Sequence, residues 1–122
     1  MAQVEFTVLK KIMVDTWSYK EAFPLIEKLK ALCDQSRLMF FSVFGSVLTI
    51  KGKRGTASDL DILILVDKSK DMFWAETGIK AFFKTEKMRY KVLDRKIDGR
   101  NILTRFLHNN KIIHFYIKEL EL

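Results

Sequence analysis

Two apolar runs dominate the chain. Leu38 to Phe44 is almost unbroken and ends at Gly45, and Leu60 to Val66, rich in Ile and Leu, is closed by Asp67. Short runs of this kind, bounded by turn residues, predict buried strands. Between Trp17 and Leu32 the period changes. Phe23, Ile26, Leu29 and Leu32 recur at helical spacing while Lys20, Glu27 and Lys28 fall off that face, which predicts an amphipathic helix. Pro24 stands near its start, where a missing amide hydrogen does least harm. A second helix is predicted over Asp71 to Phe83. Met88, Tyr90 and Val92 alternate with Arg89 and Lys91 and predict a strand, with a continuing helix as the alternative. Asn101 to Leu107 reads as a short helix stopped by Asn109-Asn110, and Ile112 to Ile117 as a closing strand. Val4 to Val14 mixes apolar and charged residues and fits either an edge strand or a helix. Buried strands flanked by helices give an α+β or α/β domain built on a mixed sheet.

Composition narrows the classes. The chain of 122 residues has room for one domain, expected over 1–122 with a strand and helix extension at 1–37 and a core at 38–118. Charged residues make up 30%, and the longest mostly apolar run, Leu38 to Ile50, is interrupted by Ser42, Gly45, Ser46 and Thr49. No membrane span is expected from such a run. Met1 to Trp17 carries Glu5, Lys10, Lys11 and Asp15 and lacks the apolar middle of a secretory signal. With Cys33 the sole cysteine, neither an internal disulfide nor a cysteine-based zinc site is expected, and a reducing, cytoplasmic setting is. The net charge of +7 favours anionic partners such as nucleotides, nucleic acid or an acidic protein face. Nine basic residues lie between Lys80 and Arg105 against three acidic ones, Glu86, Asp94 and Asp98, and a tighter cluster is formed by Lys51, Lys53 and Arg54. Runs of this kind are usually solvated helix faces.

The residues that carry chemistry lie between the two apolar runs. Val43-Phe44-Gly45-Ser46 is followed by twelve residues, Val47 to Ser58, and then by Asp59-Leu60-Asp61-Ile62-Leu63-Ile64. Asp59 and Asp61 are two apart at the start of a strand, so their side chains point to one face. Neighbouring carboxylates repel each other and resist burial, and a divalent cation relieves that repulsion. Oxygen ligands suit magnesium or manganese, which share their shell with water and phosphate oxygens. Gly45 lets the backbone approach a bound group closely. Ser46 adds a hydroxyl, and a helix starting there would turn free amides toward an anion.

Gly45-Ser46 followed by Ser58-Asp59-Leu60-Asp61-Ile62-Leu63-Ile64 resembles the hallmark of the polymerase-β-like nucleotidyltransferase superfamily, above all its small, single-domain minimal members. The match covers Phe44 to Val66. What the resemblance implies is a mixed-sheet fold and transfer of a nucleoside monophosphate from a nucleoside triphosphate, with two magnesium ions. Gly45 and Ser46 would hold the triphosphate, with Lys51, Lys53 or Arg54 neutralising its charge, and Asp59 and Asp61 would bind the metals. Arg54-Gly55 would correspond to an Arg-Gly step often seen between the two elements. For minimal members the resemblance also implies a separately encoded helical partner protein, sometimes as the antitoxin of a toxin pair; a homodimer is the other assembly expected.

One element of the family's pattern is missing. Active members carry a third carboxylate on a later strand, where it activates the attacking hydroxyl. If Ile112 to Ile117 is that strand, His114 or Ile112 takes the place of the acid. If Met88 to Asp94 is, Asp94 falls on the face of Met88, Tyr90 and Val92 and becomes the candidate. A catalytically silent module of the same fold, binding a nucleotide or a helical partner, is therefore the alternative function, and a nucleic-acid binder using Lys80 to Arg105 ranks below both.

Other residues carry plainer readings. His108 fits a helix end stabilised by carbonyls, His114 a packed or surface strand position, and Cys33 a helix face. The glycines at 45, 52 and 55 lack the ending of a Walker loop. Met72, Phe73, Trp74, Phe82 and Phe83 cover more than one helix face and read first as core, then as a partner surface.

Overall fold

The computed structural model describes residues 2–5, 11–34, 39–44 and 59–120. Their elements are strands β1 (Ala2–Glu5) and β2 (Lys11–Val14), helix α1 (Tyr19–Asp34), strands β3 (Met39–Phe44) and β4 (Asp59–Val66), helix α2 (Ser69–Thr85), and strands β5 (Lys91–Asp98), β6 (Asn101–His108) and β7 (Lys111–Glu119). The first two strands pair with each other as an antiparallel ribbon. The remaining five form a mixed sheet in the order β3-β4-β7-β6-β5, parallel only between β4 and β7. This is the α+β architecture expected, with both helices on one face of the sheet. No described helix is long and apolar enough to cross a membrane.

The two faces of the sheet differ sharply. Along β4, Leu60, Ile62, Ile64 and Val66 are buried, while Asp59, Asp61, Leu63 and Leu65 are half-buried. Ile113, Phe115 and Ile117 of β7 and Ile102 and Phe106 of β6 join the same core, against Ala22, Leu25 and Leu29 of α1 and Ala75, Ile79 and Phe83 of α2. Strict alternation thus sends one set of side chains to the helices and the other to the opposite face. Helix α1 opens with a reciprocal cap in which Ser18 Oγ accepts from the Glu21 amide at 3.2 Å and donates to Glu21 Oε1 at 2.9 Å.

Three expectations are corrected by the structure. Asn101 to Leu107 is strand β6, not a helix: buried Ile102, Thr104 and Phe106 alternate with half-buried neighbours, a period of two. Asn109 and Asn110 are the turn of the β6–β7 hairpin, both with positive φ (50° and 58°), as a two-residue turn matched to strand twist requires. His108 accordingly ends a strand, its Nδ1 2.7 Å from the Arg89 carbonyl oxygen. The core face of α1 is rotated from the predicted one. It runs through Ala22, Leu25, Leu29 and Cys33, whose small members let the helix lie close to the sheet, and Phe23 is exposed beside Tyr19. On α2, Met72, Phe82 and Phe83 are core, while Phe73 and Trp74 are about half exposed.

The third correction concerns β5. The strand starts at Lys91, after Met88 and Tyr90, and an irregularity between Val92 and Asp94 shifts its register on β6. Val92 pairs with core-facing Phe106, but Asp94 pairs with Arg105 on the opposite face, so Asp94 does not share a face with Val92 as simple alternation predicts.

The basic stretch from Lys80 to Arg105 is partly consumed by the fold. Arg95 grips Glu76 through two hydrogen bonds of 2.6 and 2.9 Å, Arg105 holds Asp94, and Arg100 lies 3.4 Å from Glu119. Glu76 is buried and Arg95 is one-third exposed. Arg95→Leu should therefore strand a buried carboxylate and destabilise the protein by about 2 kcal/mol, below the full cost of breaking an enclosed pair because water reaches the arginine. The urea midpoint, at unchanged slope, is the measurement.

Candidate metal centre

The opening of β4, Asp59-Leu60-Asp61, places one leucine in the core and both acids on the sheet face opposite α1 and α2. The parallel neighbour β7 runs alongside in a register that sets Asp61 opposite His114. Its own alternation buries Ile113 and Phe115 and turns His114 and Tyr116 toward the acids. One ligand atom from each of Asp59, Asp61 and His114 falls within 4.8 Å of the others. His114 Nδ1 lies 4.0 Å from Asp61 Oδ1. The His114 ring is stacked on Tyr116, centroids 3.9 Å apart and planes 27° from parallel, which limits its rotation.

Electrostatics at this point are those of a site held in tension. Burial, and then the charge of Asp59, push the Asp61 carboxyl up to about 6. Burial pushes the His114 imidazole below its ordinary value, with Arg105 adding to the effect while Asp59 and Asp94 oppose it. The downward shift favours the neutral imidazole, so its 4.0 Å approach to Asp61 brings two lone-pair-bearing atoms together rather than forming an ion pair. Burial, then the charges of Asp61 and Asp59, raise the Tyr116 hydroxyl, with Arg105 opposing them. Two carboxylates and a neutral imidazole with lone pairs converging over this distance form a donor set that fits a divalent cation.

The group belongs to a row across the sheet. Phe44, Asp61, His114, Arg105 and Asp94 are successive register partners on β3, β4, β7, β6 and β5. Asp94 therefore stands two strands beyond His114. Its carboxylate accepts from Arg105 Nε at 3.0 and 3.1 Å and from Arg105 Nη2, and it is not among the three converging groups. At the other end of the row, β3 finishes at Phe44, the register partner of Asp61, and β4 begins at Asp59. Gly45, Ser46, Lys51, Lys53 and Arg54 lie on the intervening segment, outside the described residues.

His114 is the member that sequence reasoning underrated. The usable signal was the contrast within β7, where His114 and Tyr116 interrupt Ile113, Phe115 and Ile117 at every second position. What sequence could not supply was the parallel pairing that brings that polar face to Asp61.

No protein-family model matches the chain, and no curated protein matches it. Solved structures do. The RNA terminal uridylyl transferase Cid1 aligns with a TM-score of 0.53 and 16% identity over 83% of this chain and 30% of that one. A cytoplasmic RNA terminal U-transferase aligns with a TM-score of 0.51 and 18% identity over 88% of this chain and 31% of the other. The likeness is one of fold, a nucleotidyltransferase-like mixed sheet, and the chain spans less than a third of either neighbour's length.

Proposed function

We propose that this domain transfers a nucleoside monophosphate from a nucleoside triphosphate to an acceptor hydroxyl, with Asp59, Asp61 and His114 as its metal-binding group. The observation that carries the reading is the convergence of those three side chains on one sheet face, at the point where β3 ends and β4 begins. Bound there, a divalent cation, magnesium or manganese, would neutralise phosphate charge and lower the pKa of an attacking hydroxyl. Asp59 and Asp61 present their carboxylates side by side at the start of β4. His114 stands opposite Asp61, where the family resemblance calls for a third acid, and supplies a neutral nitrogen in its place. The Gly45-Ser46 step follows directly on Phe44, and in this reading it cradles the triphosphate, with Lys53 and Arg54 offsetting its charge.

Asp94 has a different part. Its carboxylate is spent on Arg105, so its task is to orient that guanidinium beside His114. Asp94→Asn is expected to lower the transfer rate by less than about tenfold. Loss of a general base would cost roughly a hundredfold or more, and a drop of that size would return the catalytic role to Asp94.

The acceptor is proposed by fold analogy as an RNA end, in line with the activity named for both structural neighbours; a helical partner protein is the other candidate. The test is incubation with labelled nucleoside triphosphates, magnesium or manganese, and either an RNA oligonucleotide or no added acceptor, alongside the Asp61→Asn variant. Label appearing on RNA or on protein, and absent with the variant, supports the reading. A second reading, the silent module, draws on the substitution of His114 for an acid. It predicts stabilisation by triphosphate and cation without any labelled product.

A further inference from the structure

Two carboxylates with an imidazole are not the set that magnesium prefers. Magnesium takes oxygen ligands and gives up its waters reluctantly; manganese, also an oxygen binder, is the first member of a first-row series whose affinity for nitrogen rises, and it tolerates one imidazole better than magnesium does. The nitrogen here is built into the group. His114 is the register partner of Asp61 on the adjacent parallel strand. Its ring is clamped against Tyr116 at 3.9 Å, and its ligand atom lies within 4.8 Å of those from both acids. An ion gripped by Asp59 and Asp61 would meet that nitrogen without rearrangement of the strands. Resting on the reading of this group as the metal centre of nucleotidyl transfer, we infer that His114 is a direct ligand and that the site selects manganese over magnesium.

Exchanging the nitrogen for oxygen tests this. Metal-free protein, as the full chain and as its His114→Asp variant, is titrated with manganese or magnesium, each alone and with a non-hydrolysable nucleoside triphosphate analogue. Affinity is followed by calorimetry and by thermal shift. The ratio of manganese to magnesium affinity should fall by on the order of tenfold in the variant, because an all-oxygen set removes the one nitrogen that manganese tolerates better than magnesium. Pulsed electron paramagnetic resonance on manganese-loaded wild-type protein should show nitrogen coupling that changes when histidine is labelled with nitrogen-15. That measurement does not depend on the variant folding. An equal ratio in the two proteins, or bound manganese without histidine coupling, overturns the inference and removes His114 from the metal-binding group, while leaving nucleotidyl transfer at Asp59 and Asp61 standing. Failure of both ions to bind in any condition overturns both.

Discussion

Asp61→Asn should abolish nucleotidyl transfer and yet leave a more stable protein. The loss follows from removing one of two carboxylates that hold the cation, and a fall of about a thousandfold is expected in the labelled-transfer assay. The gain follows from the state of that carboxyl in the metal-free protein. Its pKa is raised from 3.8 to about 6, first by burial and then by Asp59. A raised acid pKa means that the folded chain binds this proton more tightly than the unfolded chain does. The contribution of Asp61 to stability is therefore unfavourable above about pH 6 and is relieved as pH falls toward 4. At about 1.4 kcal/mol per unit the shift has a ceiling near 3 kcal/mol, and solvent access reduces the expected gain to about 1 to 2 kcal/mol. Asparagine carries no such penalty. In chelator at pH 7.5, Tm should rise by about 5 °C in the variant, and the difference should vanish near pH 4. A variant that is both inactive and less stable at pH 7.5 would mean that Asp61 is a structural residue.

The second large effect is the response to cations. If Asp59, Asp61 and His114 form the site, manganese or magnesium with a triphosphate binds the native chain and not the unfolded one. At a hundredfold excess over Kd the native state gains about 2.7 kcal/mol, a rise in Tm on the order of 10 °C for a domain of this size. Chelator should reverse it, and Asp59→Asn and Asp61→Asn should each lose it. Calcium, larger and satisfied by six to eight oxygens, should give a smaller shift. Equal shifts in wild-type protein and both variants would locate cation binding elsewhere.

The strands that shape the site were legible in the sequence because they are apolar on the helix side without interruption. Leu60, Ile62, Ile64 and Val66 announce β4, and Asp59 and Asp61 stand out against them. Helix α1 was legible from its period, although Phe23 was assigned to the wrong side because a four-residue stripe can be centred on either of two adjacent faces. Strand β6 was misread for a local reason: Asn101-Ile102-Leu103-Thr104-Arg105-Phe106 has apolar residues at spacings that both periods accommodate, and paired asparagines end helices as well as make hairpins. The position of Asp94 depended on a strand irregularity that composition does not announce. The partnership of Asp61 with His114 spans more than fifty residues of chain and exists only because β7 inserts between β4 and β6. Such a contact is a product of topology, and no window along the sequence contains it.

The two asparagines at the β6–β7 turn have a bearing on chemistry that lies well outside them. They fix how β6 is counted against β7, and the Asn110 carbonyl is itself anchored by the Asp15 amide at 2.7 Å. Side chains on a strand change sides with every step, so a turn longer by one residue that slid β7 along its neighbours would swing His114 among the phenylalanines and bring Ile113 out beside the aspartates. In the proposed site the third donor is thus held in place partly by this bend, and a one-residue insertion there should weaken cation binding as much as replacing His114 would.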